Sequence, residues 1–406
     1  MWRTYLKVEN LLVAQKELEG VVVAVTNLIN KSVKLFAVLF ISITCLSAQA
    51  AVLDPDRADV LYHSYEGGGM TIDGPSVLLR KKTSESLAFT AYYYLDSISS
   101  ASVDVISTAS AYTEKRNEGQ FGVEYLHDKT LMSFNLRQSD EDDYLAQSFS
   151  INVSQDTFGD LTNLNLGLSY GDNEIRRNGD DQFEEQSEQY RIRAGINQVL
   201  TRNLTASVNV EAIADSGYLN NPYRTVRYID NSVPSGVAYQ AEVYPETRNS
   251  FAAKFSASYF LPYRAALFFH YRHFNDSWEI TASDVEVGYR HPLGDSLELE
   301  FKVRYYQQTQ AEFYSDLFPY RDAQNYLARD KELSDFSDIT YGIGITYQLP
   351  ASVSFGDTHS EASLQWDYID FQYNNFRDPN ADGGVGNEPF YGFSANVIRA
   401  FVSVYF

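Results

Sequence analysis

The sequence predicts an all-β fold, namely a transmembrane, antiparallel, up-and-down β-barrel of about 16 strands. Three observations lead to this prediction. From residue 58 onward, apolar and polar side chains alternate along one segment after another, which is the period of a strand with one apolar and one polar face. The connections between these segments are alternately short and long. The final segment, "NVIRAFVSVYF", ends on an aromatic residue without a polar tail.

Residues 1–50 predict a targeting segment rather than part of the barrel. Lysines precede an apolar core at 35–48, and Ala48 and Ala50 supply the small residues of a signal-peptide cleavage site. We therefore expect an N-terminal extension and a signal peptide that is cleaved after Ala50. A single barrel domain should follow over residues 51–406.

The composition fits an exported β protein. Tyr and Phe number 31 and 25, against 3 Met and 3 Trp, and strands favour such aromatic residues. The formal net charge of -22 argues against nucleic acid as a partner, because phosphate binding requires a basic surface. Cys45 is the only cysteine and lies in the predicted signal peptide, so no disulfide is expected in the mature chain.

The alternating segments fit a soluble sandwich as well as a membrane barrel. In "LTNLNLGLSY", for example, Leu164 and Leu166 lie on one face and Asn163 and Asn165 on the other. Two features favour the barrel. The segments are longer than the usual strand of about 5–6 residues, as tilted strands that cross a bilayer must be. Charged residues also occupy the polar faces at strand centres.

Strand number follows from parity if the C-terminus is periplasmic. The count is 16, with 14 as the alternative because the first segment alternates poorly. The predicted strands are 59–67, 72–82, 86–97, 117–127, 130–140, 143–154, 161–172, 188–199, 203–214, 249–260, 264–274, 278–290, 296–307, 338–348, 361–373 and 391–406.

The connections predict the orientation, because outer-membrane barrels have short periplasmic turns and long extracellular loops. Short connections lie at 127–129, 156–160, 201–203, 261–264 and 292–295. Long connections lie near 97–116, 173–187, 215–248, 307–337 and 374–390. The two longest loops are rich in Tyr and Phe, unlike disordered segments. We expect them to pack over the barrel mouth, with a stacking platform for ligands as the alternative.

The last strand places Ile398, Ala400, Val402, Val404 and Phe406 on one face, which would contact lipid. Its terminal aromatic residue resembles the C-terminal signal that the barrel-assembly machinery reads in bacterial outer-membrane proteins. We therefore assign Val402, Val404 and Phe406 to an assembly signal.

Three stretches resemble an uncharacterised family of bacterial outer-membrane barrels known as the domain of unknown function numbered 3570. They are "DRADVLYHSYEGGGMTIDGPSVLLRKK", "GYLNNPYRTVRY" and "FYSDLFPYRDAQNYLARDKELSDF". The resemblance covers most of the chain from Asp56 onward. It implies a barrel in a Gram-negative outer membrane, in contact with lipid and lipopolysaccharide. It implies no reaction, and it leaves a periplasmic or lipoprotein partner open.

Catalytic motifs are hard to find. The six histidines are not part of a recognisable hydrolase motif, and the sequence has no HExxH, paired CxxC or phosphate loop, so no catalytic residue is assigned. The segment "DPNADGG" places Asp378, Asn380 and Asp382 at positions 1, 3 and 5 of a calcium-type loop. Position 12 holds Pro389 instead of glutamate, so calcium in an acidic surface loop is one reading and a plain acidic loop is the other.

Charged residues on the polar faces predict the lining of the lumen. They are Arg191, Arg193, Glu211, Lys254, Arg272, Glu286, Arg290, Glu298, Glu300, Lys302, Arg304 and Arg399. A barrel of this size is wide enough for an aqueous channel unless loops fill it. The leading hypothesis is therefore a porin-like channel for small polar solutes or ions. The alternative is a structural or docking component of a cell-envelope complex, and an outer-membrane enzyme is a third hypothesis without a supporting motif.

Overall fold

The computed structural model describes residues 52–100, 112–350 and 359–406. The predicted signal peptide and its cleavage site at Ala48 and Ala50 lie outside these residues. Within the described ranges, no helix is long and apolar enough to cross a membrane. The strands are β1 (Arg57–Gly67), β2 (Met70–Ser84), β3 (Leu87–Ser100), β4 (Tyr112–His127), β5 (Thr130–Asp140), β6 (Tyr144–Thr157), β7 (Thr162–Arg176), β8 (Glu184–Thr201), β9 (Leu204–Gly217), β10 (Thr225–Ile229), β11 (Val237–Ala241), β12 (Thr247–Phe260), β13 (Ala266–Asp276), β14 (Thr281–Leu293), β15 (Leu297–Gln308), β16 (Phe336–Gln348), β17 (His359–Arg377) and β18 (Phe390–Tyr405), and a short 3-10 helix spans Lys331–Leu333.

The strands form a closed antiparallel barrel of 16 members, which confirms the predicted fold class. Only β10 and β11 stand apart in the described chain, as a two-stranded hairpin inside one loop. The first and last strands close the ring, with Val60 of β1 opposite Val402 of β18. Sixteen strands, not fourteen, is therefore correct, and the poorly alternating first segment is a full strand because β18 and β2 pair with both of its edges.

Residues aligned across neighbouring strands share a face, and the two faces differ in chemistry. Val208, Phe255, Tyr271 and Val285 form one aligned row, and all four are exposed apolar side chains of the outer face. The inner-face row beside it contains Ser256 hydrogen-bonded to His270. This is the inside-out arrangement of a barrel that has lipid outside and water inside.

The two rims of the barrel differ as the connection lengths predict. One rim, called here the turn rim, has tight connections such as 85–86, 128–129 and 202–203. The opposite rim, called here the loop rim, carries the long connections 218–246, 309–335 and 378–389. The loop rim also has short connections, among them 68–69, where Gly68 and Gly69 take φ values of 59° and 77° that favour glycine.

Candidate functional site: the lumen and its lid

The predicted lumen charges on β8 and β9 form a paired group on the inner wall. Arg193 Nε lies 2.5 Å from Glu211 Oε2, and Arg191 Nε lies 3.9 Å from the same oxygen. The Arg193 side chain remains 52% exposed although it is paired. Both arginines thus share one carboxylate on the inner wall.

A second group lies on β14 to β16. Arg290 Nη2 is 2.5 Å from Glu300 Oε2, and Arg290 Nε is 3.2 Å from Glu298 Oε1, while half of the Arg290 side chain stays exposed. Arg304 lies 3.8 Å from Asp338 and 4.0 Å from Asp284. These two aspartates were not among the predicted lumen residues, although both lie on the polar faces of their strands.

Asp367 joins cations from two sides of β17. Lys302 Nζ of β15 lies 3.1 Å from Asp367 Oδ1, and Arg399 of β18 pairs with Asp367 Oδ2. Lys302 reaches Asp367 across β16, where Gly342 is aligned with both residues. A Cβ atom on Gly342 would lie 2.4 Å from Asp367 Oδ1 and 2.4 Å from Lys302 Cε. The glycine therefore leaves the space in which the ion pair spans an intervening strand.

On β1 to β3, His63 and Asp96 also make contact across an intervening strand that carries a glycine between them. His63 Nε2 lies 2.7 Å from Asp96 Oδ1 and 3.0 Å from the Tyr94 hydroxyl, and Arg116 pairs with Asp96 from the other side. Asp96 is fully buried. The intervening strand β2 has Gly74 opposite His63. His63 is one of the six histidines without a recognisable motif, and its partners were not among the predicted site residues.

Lys254, Arg272 and Glu286 complete the predicted set. Lys254 and Arg272 are aligned neighbours on β12 and β13, and neither makes a hydrogen bond or ion pair with another residue of the described chain. Glu286 lies 3.9 Å from His270, at the edge of ion-pair distance. The inner wall of this sector therefore carries two free cations.

Three loops of the loop rim fold together into what we call the lid, defined as residues 218–246, 309–335 and 378–389. Backbone hydrogen bonds connect the first two loops, including Val243 N–H to Leu327 O at 2.9 Å and Phe318 N–H to Arg227 O at 2.9 Å. The lid and the upper barrel wall share a buried apolar cluster that contains Tyr244 and Phe313. This confirms the predicted packing of the aromatic loops over the mouth.

Arg227 connects all three loops of the lid. It lies 2.5 Å from Asp316 and 2.6 Å from Glu388, and its side chain is only 3% exposed. Arg329 reinforces the junction, since it is 3.0 Å from Asp316 and its guanidinium stacks 4.4 Å above the Phe376 ring. Charge-assisted bonds of this kind are stronger than neutral ones.

The lid crosses the mouth rather than covering one side. The loop 218–246 begins at β9, and its Tyr223 donates a hydrogen bond to Asp143 between β5 and β6. The same loop reaches Glu388, between β17 and β18, through Arg227. These three attachment points lie on well-separated arcs of the ring. Folded loops therefore span the barrel at the loop rim.

Burial shifts the pKa values of carboxyl groups in the lid. Burial raises the pKa of Asp330 to about 7, although its partner Arg224, 2.5 Å away, opposes the shift. Burial also raises the pKa of Glu242 despite its hydrogen bond from the Tyr244 hydroxyl. Burial thus disfavours the charged form of both groups in the folded lid.

A cavity of about 560 Å³ lies under the lid, against the inner wall. Wall residues of β8 to β15 and lid residues line it together. Their side chains include aromatic, cationic and carboxylate groups, represented by Trp278, Arg272 and Glu332. Such a volume suits a small organic molecule.

The predicted calcium loop shows a local turn. The Asp378 carboxylate accepts a hydrogen bond from the backbone N–H of Asn380 at 2.9 Å. Glu388, the nearest acidic residue to position 12, is bonded to Arg227. Elsewhere, Glu114, Glu141 and Asp143 each place a carboxylate oxygen within 4.8 Å of the others. Calcium binding at Asp378, Asn380 and Asp382 stays a prediction.

The C-terminal strand is anchored at the turn rim. Phe406 N–H donates to Asp56 O at 3.0 Å, and Lys81 Nζ lies 5.0 Å from the Phe406 ring. Val404 is aligned with Ala58. The Phe406 ring itself is half exposed on the outer face. The assembly signal at Val402, Val404 and Phe406 stays a prediction.

A closed antiparallel barrel with an apolar outside and a charged inside defines a transmembrane β-barrel of the outer-membrane type. Within that class, the chain belongs to the family described as "Protein of unknown function (DUF3570)", which matches residues 108–401. This agrees with the resemblance stated above. No curated protein matches the chain.

Several solved outer-membrane proteins have similar structures. The siderophore receptor PirA from Pseudomonas aeruginosa matches 87% of this chain at 12% identity and a TM-score of 0.42, and the chain covers 63% of that receptor. A bacterial polysaccharide outer membrane secretin matches 87% of the chain at 8% identity and a TM-score of 0.48, over 99% of its own length. OpdK from Pseudomonas aeruginosa matches 87% of the chain at 11% identity and a TM-score of 0.41, over 100% of its length. At such identities the similarity extends to the barrel fold alone.

Proposed function

We propose that this protein is a bacterial outer-membrane channel that passes small polar solutes or ions beneath a constricting lid. The observation that carries the proposal is the exposure of paired charges inside the barrel. Arg193 and Arg290 point into the lumen and are ion-paired, yet 52% and 50% of their side chains stay exposed. A filled interior would bury them, since unhydrated charges are costly, whereas a water-filled lumen accounts for their exposure.

The location proposed is the outer membrane, after export directed by the signal peptide. The outer apolar face would contact lipid, with the turn rim in the periplasm and the lid beside lipopolysaccharide. Deletion of Phe406 should reduce assembly, because the barrel-assembly machinery would lose its signal. Membrane fractionation, with a comparison of heated and unheated gel mobility, checks this. Recovery of the wild-type protein from the soluble periplasm, without a heat-dependent shift, would rule the location out.

A second candidate is a non-channel role, as a shell or docking component for a periplasmic, lipoprotein or surface partner. The specific observation in its favour is the lid, whose buried Arg227 holds three loops across the mouth. If the lid seals the lumen permanently, no solute passes.

Planar-bilayer conductance separates the two candidates. We expect small, steady conductance steps from the purified protein. Arg227→Gln should enlarge them, because Asp316 and Glu388 lose the cation that joins their loops. Arg321→Gln is the matched control, since Arg321 belongs to the same lid but its side chain is 71% exposed. Silence from the wild type and from Arg227→Gln would reject the channel in favour of the non-channel role.

A further inference from the structure

The cavity under the lid has a preformed apolar surface. Trp278 and Ile280 are buried where they line it. The Trp278 indole is held by a hydrogen bond from Nε1 to Thr247 O at 3.0 Å and by edge-on contact with Tyr244 at a centroid distance of 5.6 Å. Phe274 lies on the same lining. Rigid aromatic walls favour an apolar or aromatic ligand body.

One wall of the cavity carries a free cation. Arg272 is exposed toward the lumen and makes no hydrogen bond or ion pair within the described ranges. Arg248, the other guanidinium at the cavity, is already neutralised by Asp276 at 2.6 Å and stacks 4.5 Å above the Trp278 ring. Arg272 is therefore the cation that is available to a ligand carboxylate, which it can bind through two parallel N–H donors.

The lid presents an opposite charge to the same space. The carboxylate of Glu332 is exposed and has no hydrogen bond or ion pair in the part of the chain that the structure describes. Its neighbour Asp330 is committed to Arg224 at 2.5 Å. On the wall, Asp215 accepts a hydrogen bond from Gln189 at 2.7 Å. Asp284, also on the wall, lies 4.0 Å from Arg304. Glu332 is thus the acidic group of the lid that is free to bind a ligand cation.

We propose that this cavity binds a small organic zwitterion, with a carboxylate at one end, a primary amine at the other and an apolar or aromatic body, as in a dipeptide. The inference rests on the proposed channel, in which the cavity would be a binding station on the solute path. Arg272 receives the carboxylate, Glu332 receives the amine, and the aromatic walls hold the body. The carboxylates on the lining disfavour a simple anion, and a simple cation would leave Arg272 without a partner.

Trp278 reports on binding. The sequence has three tryptophans, Trp2, Trp278 and Trp366, and Trp2 precedes the predicted cleavage site. Trp366 is on the outer face, away from the cavity, and can be replaced by phenylalanine. In the Trp366→Phe variant, Trp278 is then the one tryptophan of the predicted mature chain. We would titrate detergent-solubilised protein with Ala-Phe, with N-acetyl-Ala-Phe and with Ala-Phe amide. We expect a saturable fluorescence change with Ala-Phe, and at least about tenfold weaker binding of the two blocked peptides, since each loses one charge-assisted contact.

Two substitutions assign the ends of the ligand. Arg272→Gln should weaken Ala-Phe about tenfold and leave the amide unchanged, while Glu332→Gln should weaken Ala-Phe and leave the N-acetyl peptide unchanged. Lys254→Gln is the matched control, because Lys254 is the aligned neighbour of Arg272 but does not line the cavity. A heat-dependent gel shift verifies that each variant is folded.

Each outcome bears on one proposal. Equal affinity for all three peptides, or equal effects of Arg272→Gln and Lys254→Gln, would overturn the zwitterion site. Absent binding in a protein that conducts would overturn the site and leave the channel intact. Binding in a protein that does not conduct would support the site and reject the channel.

Discussion

His63 and Asp96 meet at 2.7 Å although a complete strand lies between them. Their contact passes over Gly74 of β2, which has no side chain to block it. At the same place the β2–β3 pairing is interrupted at Gly74 and Pro75 without a change of register, and proline has no N–H donor for the ladder. A Cβ on Gly74 would come within 1.7 Å of Leu95 O. Glycine thus permits both the close backbone approach and the side-chain contact above it.

Gly74→Ala should therefore destabilise the barrel by about 1–3 kcal/mol, the usual cost of overpacking. The decrease should appear as a lower urea concentration for the loss of heat-resistant mobility on gels. Gly119→Ala is the control, because a Cβ there meets no atom within 4 Å. Equal midpoints for the two variants would mean that the close approach at Gly74 relaxes freely.

The outer face can be tested with charge. Val208→Arg and Phe255→Arg should each cost roughly 2–4 kcal/mol, because an arginine near the bilayer midplane must leave water. Ser207→Arg and Ser256→Arg are the matched controls, since each lies one residue away on the inner face. Refolding titrations into lipid bilayers measure the difference. Similar costs on both faces would contradict the assignment of the faces.

The lid should be more stable at pH 5 than at pH 8. The pKa of Asp330 is about 7 in the folded lid against an ordinary value of 3.8. A raised carboxyl pKa contributes stability that is present at low pH and lost as the pH rises through 7. The wild-type lid should lose on the order of 1 kcal/mol between these pH values. Asp330→Asn should be less sensitive to pH, although Glu242 remains, so the ratio of wild-type to variant proteolysis rates at each pH measures the contribution of Asp330.

At still lower pH, acid should destabilise the lid. Burial alone would raise the pKa of Glu388, but the hydrogen bond and charge of Arg227 lower it on balance, below its ordinary 4.5. A lowered carboxyl pKa contributes stability above the ordinary value and loses it as the pH falls through the lowered one. Protection of the lid should therefore decline again below about pH 4. A steady gain in protection down to pH 3 would contradict the role of the Arg227 pair.

The barrel could be predicted from the sequence, because each strand repeats a two-residue period and each connection marks a rim. β1 was the weakest prediction since Leu61 and Tyr65 are on the inner-face parity, whereas Ser64 is on the outer one. The sequence places the free cations Lys254 and Arg272 on the inner face. It does not predict that they lack partners. That lack depends on side chains of neighbouring strands and of the lid.

The contacts across strands and loops could not be predicted. His63 and Asp96 are 33 residues apart, and their contact depends on register and on Gly74. Arg227 and Glu388 are 161 residues apart and meet only after two loops have folded over the mouth. No local pattern encodes such pairings, since they follow from strand register and from the packing of loops that are distant in sequence. A glycine aligned between two polar residues of the strands on either side is the sequence signal for a contact such as that of His63 with Asp96.

The last prediction concerns ion selectivity. Arg191, Arg193, Lys302 and Arg304 all lie on the inner wall, and low-dielectric walls strengthen the field of such charges. Replacing all four by glutamine leaves Glu211 without the two arginines that share it.

The selectivity of the channel should then shift toward cations. Because Arg193 is half exposed beside Glu211, water can hydrate the released carboxylate, so the variant should still fold. Reversal potentials in a tenfold salt gradient across a planar bilayer measure the shift. Arg264→Gln is the control, since Arg264 pairs with Asp295 on the exposed turn rim at 3.1 Å. An unfolded quadruple variant of a protein that never conducts would instead indicate a closed interior, in which the unpaired carboxylates are too costly to bury.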